Sequence, residues 1–253
     1  VIELEPSDGA AYFGRGCAHF EMNDFDGALE DFNKAIERSA MEAYAYSYRG
    51  IIYCKKWDFD RALSDFARAE EFGTNDVRVF TMRAVIYKQK GEYEKAIEDC
   101  AKAIELNPDY MDAYAMRACA YASIKMVEQA IADFTTAIRL GPVNVTLYLS
   151  RGALYLNKGE LDAAEKDFAE TVKLAPDDPV SYFNSALVCG KKGDAGRAID
   201  FINKALEINP VFRDAYTNRG IYYAQKGDFE NAVADHMKEL ELYPDNCMAR
   251  FNL

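Results

Sequence analysis

Tyr114, Ala118, Tyr121, Ala130, Phe134, Ala137 and Pro142 form the run that decides the fold, because the chain is built from copies of it. A step of 34 residues either way from Ala130 lands on Ala28, Ala62, Ala96, Ala164, Ala198 and Ala232, without insertion or deletion. Twelve residues before each anchor stands a small residue: Gly16, Gly50, Ala84, Ala118, Gly152, Ala186, Gly220. Sixteen before stands an aromatic: Tyr12, Tyr46, Phe80, Tyr114, Tyr148, Tyr182, Tyr216. Four after comes mostly Phe, and twelve after comes Pro in five copies of seven. A fixed period of this length predicts a solenoid, in which each unit buries its apolar face against its neighbours.

The periodicity inside a unit is helical. Phe80, Ala84 and Tyr87 share one face, and Gly91 then supplies a helix stop. Tyr93, Ala96, Ile97, Cys100, Ala103 and Ile104 repeat the spacing on a second helix, closed by Asn107-Pro108. The expectation is an all-α chain forming one α-solenoid, with repeats 9–42, 43–76, 77–110, 111–144, 145–178, 179–212 and 213–246. Residues 1–8 match the tail of such a unit and residues 247–253 the start of another. The reading is a piece of a longer array, or one whose open ends pair with a second copy as a homo-oligomer. Lys125 takes the usual glycine place in the fourth unit, and Trp57 takes it in the second. Trp57 is read either as packed on an adjacent unit or as an exposed partner anchor.

This pattern of large, small and aromatic residues on one helix, and Ala, aromatic, Ala and Pro on the next, resembles the tetratricopeptide repeat family. The resemblance implies a right-handed superhelix of antiparallel helix pairs, with first helices lining the concave side. Departures from the pattern are His19 and Cys189 for Tyr, Cys100, Ile202 and His236 for Phe, and Thr171 and Glu239 for the second Ala.

Thirteen before the anchor stand Arg15, Arg49, Arg83, Arg117, Arg151 and Arg219, and three after it stand Asp31, Asp65, Asp99, Asp133, Asp167 and Asp235. The same six units carry both, while the sixth carries neither, having Ser185 and Phe201. Losing one partner of a buried pair strands a charge at about 3–5 kcal/mol, so joint loss predicts that the two pair between helices. The sixth unit also carries Cys189-Gly190 where others have bulkier pairs, and is the expected place for a bend or altered stacking.

Chemistry is hard to find in this composition. A formal charge of −12 opposes a nucleic-acid groove, and no apolar run reaches a membrane span. The six cysteines make no C-x-x-C pair and read as reduced near-core thiols, which favours the cytoplasm. The two histidines, His19 and His236, fall on core positions and read as buried and satisfied. No phosphate loop, metal-spaced cluster or catalytic constellation is present, so no enzyme and no cofactor is expected.

What remains is a stripe beside the packed face of each first helix. It gives Phe13, Cys17 and Phe20, then Tyr44, Ile51, Val85, Cys119, Leu149, Leu156, Phe183, Leu187 and Ile221 as a partner-binding groove with few charges. Family members that hold acidic chaperone C-termini use a Lys/Asn/Arg clamp on these helices. Phe13/Cys17, Ser47/Ile51 and Thr81/Val85 fill its Lys and Asn places here, so that clamp is absent. An asparagine ladder is hinted at only by Asn184 and Asn218. The expected function is a scaffold that takes a peptide or helix with apolar side chains. The rivals are a recruiting arm of a larger enzyme or cochaperone, and a self-assembling array.

Overall fold

The computed structural model describes residues 8–252. They form helices α1 (Gly9–Glu21), α2 (Phe25–Glu37), α3 (Glu42–Lys55), α4 (Phe59–Glu71), α5 (Val77–Gln89), α6 (Tyr93–Leu106), α7 (Met111–Ser123) and α8 (Val127–Leu140). There follow α9 (Val145–Lys158), α10 (Leu161–Leu174), α11 (Pro179–Lys191), α12 (Ala195–Ile208), α13 (Ala215–Gln225), α14 (Phe229–Leu242) and α15 (Cys247–Phe251). No strand occurs among the described residues. Contacts divide the chain into two compact units, Val1–Leu140 and Gly141–Leu253. The first holds four helix pairs, α1–α8, and the second holds three, α9–α14, followed by α15. Within each unit every odd helix packs on the next even one, which in turn packs on the following odd helix. This is the α-solenoid that the 34-residue period demands.

The turn inside each pair repeats one backbone state. Asn23, Trp57, Gly91, Lys125, Gly159, Gly193 and Gly227 share a lattice position and all lie at positive φ, from 58° at Asn23 to 84° at Gly159. Lys125 therefore closes its turn in the same left-handed conformation as the glycines, at φ 63°. Asp24, Asp58, Asp194 and Asp228 then cap the second helices, accepting the N–H of Gly27, Arg61, Arg197 and Asn231.

The anchors are all buried, and Phe32, Phe66, Phe134 and Phe168 fill the space between paired helices. Small residues opposite them set the approach: a Cβ on Gly50 would stand 2.7 Å from the Phe66 ring. Gly190 serves the same end. A Cβ there would meet the Tyr222 ring at 2.3 Å, and α11 runs through the position unbroken. Its glycine makes room for the next pair rather than a bend.

Residues 1–7, which carry most of the expected N-terminal fragment, lie outside the described residues; Asp8 caps α1 through the N–H groups of Ala10 and Ala11. At the other end Met248 and Phe251 are exposed on α15.

Candidate functional site

The first-helix stripe sorts into three environments. Tyr44 is exposed, and Phe13, Cys17, Phe20, Val85, Cys119, Leu149, Phe183, Leu187 and Ile221 are half-buried. Ile51 and Leu156 are only 1% and 6% exposed and offer no surface to a ligand. Ile51 packs with Phe66, Val79 and Ile86, and Leu156 with Phe168 and Val188. At those two places the following repeat has covered the stripe. Phe20 also turns inward, edge-on to Tyr48 with ring centroids 5.1 Å apart. In the first unit the surviving surface is aromatic: Phe13 lies 6.4 Å from Tyr44 and 6.1 Å from Tyr48. In the second it is mixed, with Phe183 set against Phe212 at 5.2 Å and Val180 exposed beside it.

Each of the six Arg–Asp couples is a two-pronged hydrogen bond within its own repeat. Arg49 Nε and Nη2 donate to the Asp65 carboxylate at 2.7 Å each, and Arg83 does the same to Asp99 at 2.7 and 2.6 Å. Arg15 with Asp31, Arg117 with Asp133, Arg151 with Asp167 and Arg219 with Asp235 repeat the arrangement. The free Nη1 of Arg49 and of Arg219 reaches the preceding repeat, at Asn33 and Asn203, and Arg83 shares its Nη2 between Asp99 and Glu70 of the preceding repeat. All six carboxylates are buried, so these arginines are committed to the scaffold. Hydrogen bonds from Arg49 to Asp65 hold its guanidinium above the usual value, with burial opposing.

In the sixth repeat, where the couple is missing, a cavity of about 170 Å³ opens between α10, α11 and α12. Ser185, Cys189 and Phe201 line it, at the places that carry Arg, Tyr and Asp in most repeats. Glu165, bonded to Lys192 and Arg197, stands at the same cavity.

The titratable groups fit structural roles. Burial pushes the thiols of Cys54 and Cys100 up, to about 11 and about 12, and raises Cys17, Cys119 and Cys189 as well. Neutral thiols are poor nucleophiles and poor metal ligands. All six cysteines are free, and no cluster of three or more potential metal ligands occurs among the described residues. The histidines depart from the sequence reading. His19 is only half-buried, with Nδ1 2.7 Å from Asp24. His236 is buried but unsatisfied, its Nδ1 lacking any hydrogen-bond partner.

Glu239, the residue in place of the second Ala, is fully buried. Its Oε1 accepts from the Asp214 N–H at 2.9 Å and from Asn246 Nδ2 at 3.1 Å, which ties down a left-handed turn at Asp214. Nothing in the 34-residue pattern announces that network.

Models of the tetratricopeptide repeat match residues 9–39, 77–110, 116–179, 179–212 and 214–246. The chain belongs to the tetratricopeptide repeat family. No curated protein sequence matches it significantly. Solved structures of family members do. The C-terminal part of a repeat-containing protein from Cytophaga hutchinsonii superimposes with a TM-score of 0.77 at 21% identity, covering 95% of this chain and 99% of that one. YrrB, described as a tetratricopeptide repeat protein with an unusual peptide-binding site, gives 0.65 at 25% identity, covering 74% and 96%. PilW, described as a type IV pilus biogenesis factor, gives 0.68 at 16%, covering 83% and 98%. At 16% and 21% identity the likeness speaks to the fold alone. Among the described residues of this tetratricopeptide repeat chain, no helix is long and apolar enough to cross a membrane.

Proposed function

We propose that this tetratricopeptide repeat chain is a non-catalytic scaffold that holds a protein segment against the first-helix faces of its repeats. The observation that carries this reading is the partly open apolar stripe. Phe13, Tyr44 and Val85 present it in the first unit, and Leu149, Val180 and Phe183 in the second. Apolar side chains left partly in water gain about 25 cal/mol per Å² when a partner covers them. The six lattice arginines are locked to buried aspartates rather than presented to an anionic ligand. An extended peptide or amphipathic helix with apolar side chains fits such a surface. YrrB, described as having an unusual peptide-binding site, shares the fold over most of its length.

Tyr44 and Val180, both 39% exposed, give the cleanest test because a charge there disturbs no core. Peptides selected from a displayed random library against the intact chain should lose at least tenfold in affinity to Tyr44→Glu or Val180→Glu, with helicity unchanged. Undiminished binding of every selected peptide by both variants refutes the reading.

A further inference from the structure

We propose that Trp57 and the hollow beside it form a socket for one large apolar side chain of a protein segment whose flanking residues are acidic. This rests on the scaffold reading and adds to it a place and a partner chemistry.

The only tryptophan of the chain is 75% exposed, and it occupies the left-handed turn position at φ 62°. Four other repeats put glycine at that place, where a bulky side chain is strained. A large aromatic held in a disfavoured conformation and left three-quarters in water adds little to the fold's stability. Strain of this kind points to use. Trp57 packs tilted against Phe59, with ring centroids 5.8 Å apart, and lines one side of a hollow. The hollow measures about 270 Å³ and is also lined by Cys54, Phe59, Met82, Val85 and Ile86. That volume is smaller than the roughly 300–1,000 Å³ of small-molecule sites and suits a single side chain. A tryptophan beside an apolar pocket is the usual make-up of an interface hot spot.

The charges around the socket choose the partner. Lys56 and Lys90 are neutralised by Asp26 and Asp60. Lys55 lines the hollow, and its ammonium sits over the Phe25 ring at 5.6 Å. Lys88 lies one residue before Gln89, which lines the hollow, and one turn on from Val85. Among the described residues, neither Lys55 nor Lys88 has a carboxylate partner. An uncompensated cation lining an apolar hole, with a second on the neighbouring helix α5 that also lines it, complements carboxylates flanking an apolar side chain.

Because Trp57 is the sole tryptophan, its emission reads the site directly. The intact chain is titrated with the capped hexapeptide Asp-Glu-Leu-Phe-Glu-Asp, with its lysine-for-acid counterpart, and with the version carrying Ala for Leu and Phe. Only the first should shift emission to the blue and shield the indole from acrylamide. Lys55→Glu and Lys88→Glu should each weaken it at least threefold, and together at least tenfold. Trp57→Gly should abolish binding while leaving Tm unchanged or higher, since glycine relieves the turn. A fall in Tm for Trp57→Gly makes the tryptophan structural and overturns the socket. So does equal binding of the lysine peptide, or failure of all three peptides to bind. A blue shift that grows with protein concentration alone assigns the socket to a second copy and overturns the peptide partner. A peptide that binds with unchanged emission, and equally to Trp57→Gly, overturns the socket but leaves the scaffold reading to the Tyr44 and Val180 variants.

Discussion

At the position where four repeats bury a phenylalanine, the seventh buries His236, and its Nδ1 is left without a partner. Burial holds its pKa below the ordinary value, with Asp235 and Glu239 pulling the other way. The fold therefore favours neutral imidazole, whereas the unfolded chain takes up a proton near about 6.5. Stability linked to this residue is present above that pH and drains away as pH falls below it. His236→Phe restores the residue used elsewhere on the lattice and should raise Tm. The gain should be largest near pH 5.5, shrinking toward the orphan-nitrogen contribution of about 1 kcal/mol at pH 8. A gain that does not vary with pH, or a loss, contradicts this account of the seventh repeat. The imidazole's place was legible from the sequence; its missing hydrogen bond was not. Spacing tells which residues face inward, but a partner for each ring nitrogen depends on the exact neighbours.

At the scale of a helix pair, the sixth repeat departs most from its fellows. Ser185 and Phe201 stand where an arginine and an aspartate would span the pair, and Cys189 replaces a tyrosine beside them. The result is the cavity between α10, α11 and α12. Putting back Asp alone at 201 buries an unpaired carboxylate at about 3 kcal/mol or more, whereas the full couple recreates the two-pronged bond of the other six repeats. In a double-mutant cycle, Ser185→Arg and Phe201→Asp should be less damaging together than their sum by at least about 1 kcal/mol, read from urea unfolding. Additive effects would mean that the couple does not act between these helices. The pairing itself could be read from the joint loss of both residues. That the loss leaves a hollow could not, because a phenylalanine at 201 is large enough to fill it. Two groove positions show the same limit. Ile51 and Leu156 lie on the expected stripe, yet Val79, Ile86 and Val188 of the next pair cover them. A stripe is a property of one helix, while exposure depends on the neighbour.

Over the whole molecule, the regularity that made the fold legible also hides what is particular to this chain. The period, the small–large contacts and the closing prolines were all visible in the sequence, because each repeat solves the same packing problem. Trp57 was visible only as an exception, and its exposure required coordinates, since either packing or projection was compatible with that turn. A net charge of −12 adds a long-range condition. An acidic partner is repelled at a distance, and local cations beside the socket act only within the Debye length of about 10 Å. On the proposed reading, binding comes chiefly from apolar contact on the first helices. The measurement that tests this most directly places a photo-crosslinking amino acid singly at Tyr44, Val180, Val233 or Met237. The first two are exposed on first helices, and the last two are exposed on the second helix α14. With a selected peptide bound, crosslinks should form at Tyr44 or Val180 and be absent at Val233 and Met237. Crosslinks confined to the α14 positions would contradict the account.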